Sequence, residues 1–403
     1  MRFNTGNELL SQLEMKDNRL HSLLEITNAI NSNLPVESLF KIFSFILKEQ
    51  LSFNRFVLFI KEEEWHCPVK VGYKGRIDLD LIHSELYRFK EITLVQSSNS
   101  NLLNDFQAVI PVSHQENPLA YLLISTVGKT EFLEPAHFSF AQTLANIISV
   151  AVENNRLVKQ HIIKERISKE LEVASEMQKM LFPSELPSNR KMDLSGRYIP
   201  RHAIGGDYYD FIPLGDEEYI ICIGDVSGKG ISAAMLMANF QATIRTLFKY
   251  QRFEMSFLME ELNKLVMKSA KGEKFITFFL AHYNAYTRKM TYVNAGHNHP
   301  ILLNGRKVTM LKDGCIGLGM LDELPSIKVG KLVLNPNTTF VLFTDGVVEL
   351  ENESGEQFSV ERLIKNVQAY SPLKMEDMNN IIFSKLEDWK GPLNYVDDTA
   401  IFS

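Results

Sequence analysis

The chain has 403 residues, long enough for two or three domains, and its 45% apolar and 23% charged composition is that of an ordinary globular protein. A formal net charge of −6 gives no footprint for nucleic acid, which favours a concentrated basic surface, so no nucleic-acid partner is expected. Cys67, Cys222 and Cys315 form neither a zinc spacing nor a disulfide framework, the opening Met1-Arg-Phe-Asn-Thr-Gly lacks a signal-peptide core, and no apolar run approaches the ~20 residues of a membrane span; a cytoplasmic protein with no membrane partner is expected.

Residues 8–31 carry Leu9, Leu13, Leu20, Leu23, Leu24, Ile26 and Ile30 mostly at threes and fours, which predicts a helix with one apolar face. Pro35 suits the start of a second helix, bearing Leu39, Phe40, Ile42, Phe43, Ile46 and Leu47. Short β-rich runs follow at 55–60, 69–73, 91–95, 108–112 and 119–126, with Lys61-Glu-Glu-Glu as a hairpin turn, and 138–153 returns to a helical period. Helices beside a small antiparallel sheet make an α+β module. With its entry helices, the phrase Asn33-Leu-Pro-Val-Glu-Ser-Leu-Phe40 and the closing helix, this stretch resembles a GAF domain, with a PAS-type sensor as the rival. Such a module binds a small ligand or serves as a dimerisation platform; His66 and Cys67 match no haem, bilin or metal spacing.

From Glu153 to Leu181 there is no Gly or Pro, and Ile163, Ile167, Leu171, Ala174, Met177 and Leu181 step by threes and fours. That spacing predicts a coiled-coil seam between two copies of the chain, the alternative being a solvated helix on its own domain. Prolines at 183 and 187 end it. The expected organisation is a multidomain α+β protein: a GAF-like sensor over 1–152, a helical linker over 153–186 and a third domain over 187–403, with homodimerisation through linker and sensor.

Beyond Pro187, short apolar strands alternate with Gly, Asn and Asp turns, at 194–198, 209–213, 218–225, 275–283, 290–295, 299–303 and 338–344. Helices are expected at 232–248 and 253–269, which together predict a β-sandwich flanked by helices. Four segments place an aspartate at a strand end beside a small or turn-forming residue: Ile204-Gly-Gly-Asp-Tyr-Tyr-Asp-Phe211, Ile223-Gly-Asp-Val-Ser-Gly-Lys-Gly230, Phe340-Val-Leu-Phe-Thr-Asp-Gly346 and Tyr395-Val-Asp-Asp-Thr-Ala-Ile-Phe402. One Asp-Gly is usually just a turn. Four acidic strand ends together suggest one site of hard oxygen ligands, Asp207, Asp225, Asp345 and Asp397, to which the Val226 carbonyl could add. Mg²⁺ or Mn²⁺ in such a site acidifies water and neutralises charge on an attacked phosphoryl group.

Residues 187–403 resemble the metal-dependent protein phosphatase (PPM) family, in the bacterial branch typified by stage II sporulation protein E and RsbU. The resemblance is carried in order by Gly205-Gly-Asp-Tyr-Tyr-Asp210, Gly224-Asp-Val-Ser-Gly-Lys-Gly230, Asn294-Ala-Gly-His-Asn-His-Pro300, Gly317-Leu-Gly319, Thr344-Asp-Gly346 and Asp397-Asp398. It implies a pair of Mn²⁺ or Mg²⁺ ions on Asp207, Asp225, Asp345 and Asp397, and water attack on phosphoserine or phosphothreonine without a covalent intermediate. The implied substrate is a phosphorylated STAS-domain anti-anti-sigma factor in a partner-switching pathway. Either Asp397 or Asp398 could face the metal, with Asp397 preferred; Asp210 either supports a metal ligand from behind or caps a turn. Arg201 is a weak phosphate-binding candidate, His297 and His299 are read as hydrogen-bonded turn residues rather than ligands, and Lys229 as solvent-facing. The alternative function is a catalytically silent scaffold that binds a partner with the same fold.

Overall fold

The structure, a computed structural model, describes residues 4–77, 79–80, 82–95, 102–114, 117–126, 135–215, 217–250 and 254–403, and its contacts divide the chain into units Met1–Arg166 and Ile167–Ser403. In the first unit, helices α1 (Asn4–Asn31) and α2 (Val36–Phe45) precede strands β1 (Arg55–Lys61), β2 (Trp65–Val71), β3 (Thr93–Leu94), β4 (Ala108–His114) and β5 (Asn117–Ser125). Pro35 stands directly before α2, where its fixed φ suits helix entry. The strands form an antiparallel sheet in the order β2-β1-β5-β4-β3. The strand expected from Val69 begins earlier, because Trp65 and His66 pair with Lys61 and Ile60 across the hairpin.

Side chains alternate across a strand, so the apolar run of β1 serves two cores. Phe56, Leu58 and Ile60 pack in one cluster with Ile26, Phe43, Leu144 and Ile148 from the helices. Val57 and Phe59 belong to another with Trp65, Ile82, Leu103 and Tyr121. Helix α3 (Pro135–Lys179) unites the predicted closing helix and most of the predicted linker, and crosses the division between the units. Its end tightens through hydrogen bonds from Leu181 N to Gln178 O (3.0 Å) and Phe182 N to Lys179 O (3.3 Å) before Pro183 stops it.

The second unit continues with β6 (Gly196–Ile199), β7 (Tyr208–Gly215), β8 (Glu218–Val226), α4 (Ile231–Tyr250), α5 (Met255–Ala270), β9 (Ile276–Asn284) and β10 (Lys289–Ala295). Then come β11 (Ile301–Asn304), β12 (Lys307–Met310), β13 (Gly314–Cys315), β14 (Gly330–Val333), β15 (Thr338–Phe343), α6 (Asp345–Val348), α7 (Val360–Tyr370), α8 (Met375–Lys390) and β16 (Thr399–Phe402). One sheet runs β13-β10-β9-β8-β7, with β14 also on β10; the other runs β12-β11-β15-β16-β6. Tyr209, Ile223, Phe279 and Tyr292 of the first meet Leu342, Ala400 and Phe402 of the second in a shared core, so the sheets pack face to face.

Helices cover both outer faces. Phe240, Ile244, Leu258 and Leu262 of α4 and α5 pack with Ile220, Cys222, Phe278 and Leu280. Leu363, Val367, Ile382 and Leu386 of α7 and α8 pack with Ile301, Val341, Phe343 and Ile401. The sequence reading anticipates α4 and α5 but not α7, α8, β12, β13 or β14; the predicted start of the second helix, Phe253, lies outside the described residues. The omission of α7 and α8 is a correction, since Leu363 and Val367, or Ile382 and Leu386, are four apart on buried helix faces. No helix among the described residues is long and apolar enough to cross a membrane.

Candidate active site

One edge of the sandwich gathers the acidic strand ends. Tyr208 pairs with Gly224, so continuing the β7–β8 register by one residue sets Asp207 opposite Asp225. In the other sheet, Phe343 of β15 pairs with Ile401 of β16, which places Asp345, opening α6, beside the segment that carries Asp397 and Asp398. Asp225, Val226, Asp345 and Asp397 line a cavity of about 410 Å³, together with Lys229 and Glu349. Asp207 is only 1% exposed, and its Oδ2 has no hydrogen-bond partner among the described residues.

Crowding and burial set the electrostatics. Burial, reinforced by Asp225, holds the Asp207 carboxyl well above the usual carboxylate range. Asp225 is pushed up to about 7 by burial and by the charges of Asp345 and Asp397. Asp345 rises to about 6 from burial, Asp397 and Glu349. Each shift has the same origin, negative charge in a partly dry cleft with too little positive charge to balance it. The ammonium of Lys229 lies 2.6 Å from Asp397 Oδ2 and donates to Val396 O at 3.0 Å. Lys229 is exposed, as its solvent-facing expectation has it, and its ammonium also pairs with a carboxylate remote in sequence.

The adjacent aspartates at 397 and 398 have different duties. Asp398 Oδ1 accepts from Arg201 N at 2.8 Å and Oδ2 from Gly206 N at 2.6 Å, tying down the loop that leads into Asp207. A Cβ on Gly205 would collide with the Asp398 carboxylate and the Tyr198 hydroxyl, and one on Gly346 with the Asp398 carbonyl. Glycine is therefore required where these loops meet. Asp397 keeps Oδ1 on Asp398 N (2.9 Å) and turns Oδ2 to the cleft with Lys229.

Asp210 is directed elsewhere. Fully buried on β7, it receives Arg245 of α4 through Nε–Oδ2 (2.7 Å) and Nη2–Oδ1 (2.9 Å), and Tyr208 Oη–Oδ2 (2.6 Å). It ties strand to helix and caps no turn. The Arg201 guanidinium donates to the Val396 carbonyl. In the Asn294–Pro300 turn, Gly296 has φ +68°, His297 is buried with Nδ1 2.9 Å from Thr277 Oγ1, and His299 is exposed. Burial lowers His297 to about 4, so its ring is neutral.

Glu349, Thr277 and Asn298 also line the cleft and were not singled out from sequence. Glu349 had a legible signal, since it lies four residues after Asp345 and Glu349 N bonds Asp345 O at 2.8 Å. Thr277 had none, being brought in by strand pairing, while Asn298 lay within the Asn294–Pro300 motif but was given no role of its own.

Comparison with known proteins agrees with this architecture. Residues 215–403 match the stage II sporulation protein E (SpoIIE) family. Over 234 residues the chain is 30% identical to phosphoserine phosphatase RsbU of Bacillus subtilis strain 168, covering 57% of this chain and 68% of RsbU. It is 25% identical over 190 residues to phosphoserine phosphatase RsbP of the same organism, covering 45% of each, so less than half of RsbP is represented. The SiaA-PP2C domain of Pseudomonas aeruginosa superposes with a TM-score of 0.53 at 20% identity, over 60% of this chain and 97% of that domain, which shows a shared fold. With the identity to RsbU, the match over the C-terminal residues and the carboxylate-lined edge of a helix-flanked β-sandwich, the chain belongs to the SpoIIE family of PPM-type phosphatases.

Proposed function

We propose that the chain hydrolyses phosphoserine or phosphothreonine on a partner protein in a divalent-metal-dependent reaction. The observation that carries this reading is the convergence of Asp225, Asp345 and Asp397 on one cavity, with the unpartnered Oδ2 of Asp207 buried behind them. These hard oxygen donors fit Mg²⁺ or Mn²⁺, with Asp207, Asp225, Asp345, Asp397 and the Val226 carbonyl as the holding set for two ions. Bound ions supply positive charge to phosphoryl transfer and acidity to water. The protein's own groups do the rest: Asp398 holds the Asp207 loop through Gly206 N, and the Lys229 ammonium offers the cleft a cationic donor.

For the partner we propose a phosphorylated STAS-domain anti-anti-sigma factor, acted on in a partner-switching pathway of the cytoplasm. The first unit is read as a GAF-like regulatory sensor. The exposed Ile163, Ile167 and Met177 along α3 support a homodimeric coiled-coil linker, since apolar side chains at this spacing gain by pairing.

Release of phosphate from a phosphorylated STAS protein, measured with and without Mn²⁺, tests the reading. Turnover should need the metal and disappear in Asp345→Asn. Metal binding with no turnover, both in the full chain and in residues 167–403 alone, would favour the silent scaffold.

A further inference from the structure

Beside the carboxylate cleft lies a second cavity of about 600 Å³, and the two share the turn Gly296, His297 and Asn298 as a wall. Such a volume falls within the roughly 300–1,000 Å³ range of ligand sites. Its other walls include Lys312 and Cys315, with Glu361 at the start of α7. The shared wall has a polar atom left over. The buried Asn298 Nδ2 makes no hydrogen bond with any described residue, whereas the His297 ring is held between Thr277 and the Phe343 backbone. Buried polar groups in native proteins have partners, so this orphan on the shared wall marks a place for a ligand's polar atom.

The rim adds a charge preference. Lys312 and His299 are exposed at the cavity, and Lys312 has no ion pair among the described residues. Glu361 does not neutralise it, being held at its own helix start by its backbone N–H and by Ser359. Thus a cleft of carboxylates opens beside a pocket with a free lysine.

We propose that this second cavity binds the polypeptide flanking the phosphorylated residue, with an acidic side chain of that segment paired to Lys312 and a main-chain carbonyl meeting Asn298. The proposal rests on the phosphatase reading and narrows it to phosphorylation sites with a neighbouring Asp or Glu. The two cavities share the turn at Gly296–Asn298, so a chain whose phosphoryl group sits in the carboxylate cleft can reach this cavity across that turn.

The test uses the full chain and its Lys312→Glu variant with Mn²⁺, p-nitrophenyl phosphate, and three phosphoserine peptides flanked by Asp and Glu, by Ala, or by Lys. Turnover of p-nitrophenyl phosphate should be the same in both proteins, which also controls for folding. The variant should raise KM for the acidic peptide roughly five- to tenfold, leave the alanine peptide unchanged and improve the lysine peptide. Equal effects on the acidic and alanine peptides, or no effect on either, with p-nitrophenyl phosphate turnover intact, would overturn the subsite. Absence of metal-dependent p-nitrophenyl phosphate turnover in the unmodified chain would overturn the phosphatase reading and the subsite with it.

Discussion

Gln178, near the end of α3, is bonded in both directions to the main chain of Gly205, two residues before Asp207: Nε2 donates to Gly205 O at 2.7 Å, and Oε1 accepts from Gly205 N at 3.1 Å. Gln178 is 7% exposed, so neither bond has water as a ready substitute. A long helix thereby fixes the backbone that leads into a carboxylate of the proposed metal site. Gln178→Ala should lower stability by roughly 1–3 kcal/mol and weaken Mn²⁺ activation roughly tenfold. Thermal unfolding and Mn²⁺ titration of p-nitrophenyl phosphate hydrolysis read the two effects. An unchanged half-saturating Mn²⁺ concentration would show that the loop holds Asp207 without the helix.

Removal of one crowded carboxylate gives a result opposite to that of most buried substitutions. Burial and neighbouring charge disfavour ionised Asp225. In EDTA at pH 8, Asp225→Asn should therefore stabilise the protein by about 2 kcal/mol. Mn²⁺ should raise the Tm of the unmodified chain but not of the variant. Calorimetry with and without metal checks both parts, and a metal-induced Tm shift that survives in the variant would remove Asp225 from the ligand set.

His297 sets an acid limit. Its folded value, about 4, lies below the ordinary 6.5, so the unfolded chain binds the extra proton over that interval. Its contribution is complete above pH 6.5 and is lost as pH falls towards 4. The shift corresponds to roughly 3 kcal/mol, and His297→Gln should flatten the stability–pH curve in that window by about this amount. Urea unfolding at pH 7 and pH 4.5 measures the difference; equal slopes in both proteins would be the adverse result.

The Asp210–Arg245 pair joins β7 to α4 away from the cleft, with the carboxylate fully buried and the guanidinium partly exposed. Arg245→Ala leaves that carboxylate with Tyr208 and Phe211 N as its remaining donors. The expected cost is roughly 3 kcal/mol, with KM for p-nitrophenyl phosphate unchanged. Denaturant unfolding and steady-state kinetics check it, and a large rise in KM at unaltered stability would give Asp210 a role at the site instead.

A break in the helix tests the proposed linker. Leu171→Pro removes a backbone donor within α3 and obstructs the preceding turn. Sedimentation should show loss of the dimer, and phosphatase activity should become independent of the first unit. Unchanged association together with unchanged activity would discard the coiled-coil reading.

Local signals were legible in the sequence. Aspartates flanking apolar runs marked where β7, β8, β15 and β16 meet their turns, because strand propensity and turn chemistry act over a few residues. The sandwich with covering helices was legible for the same reason, although α7 and α8 passed unnoticed despite four-residue apolar spacing.

The sequence by itself determined the residue types that the cleft offers and their positions at strand ends. Tertiary structure alone decided which groups meet: Asp398 with Gly206, Lys229 with Asp397, Gln178 with Gly205, and Arg245 with Asp210. It also separated Asp397 in the cleft from Asp398 on the loop, a distinction unavailable from two identical neighbours. The physical reason is range. Backbone preference is set by adjacent residues, whereas a carboxylate's partner and its proton affinity depend on charge, burial and donors supplied by strands and helices far away in the chain.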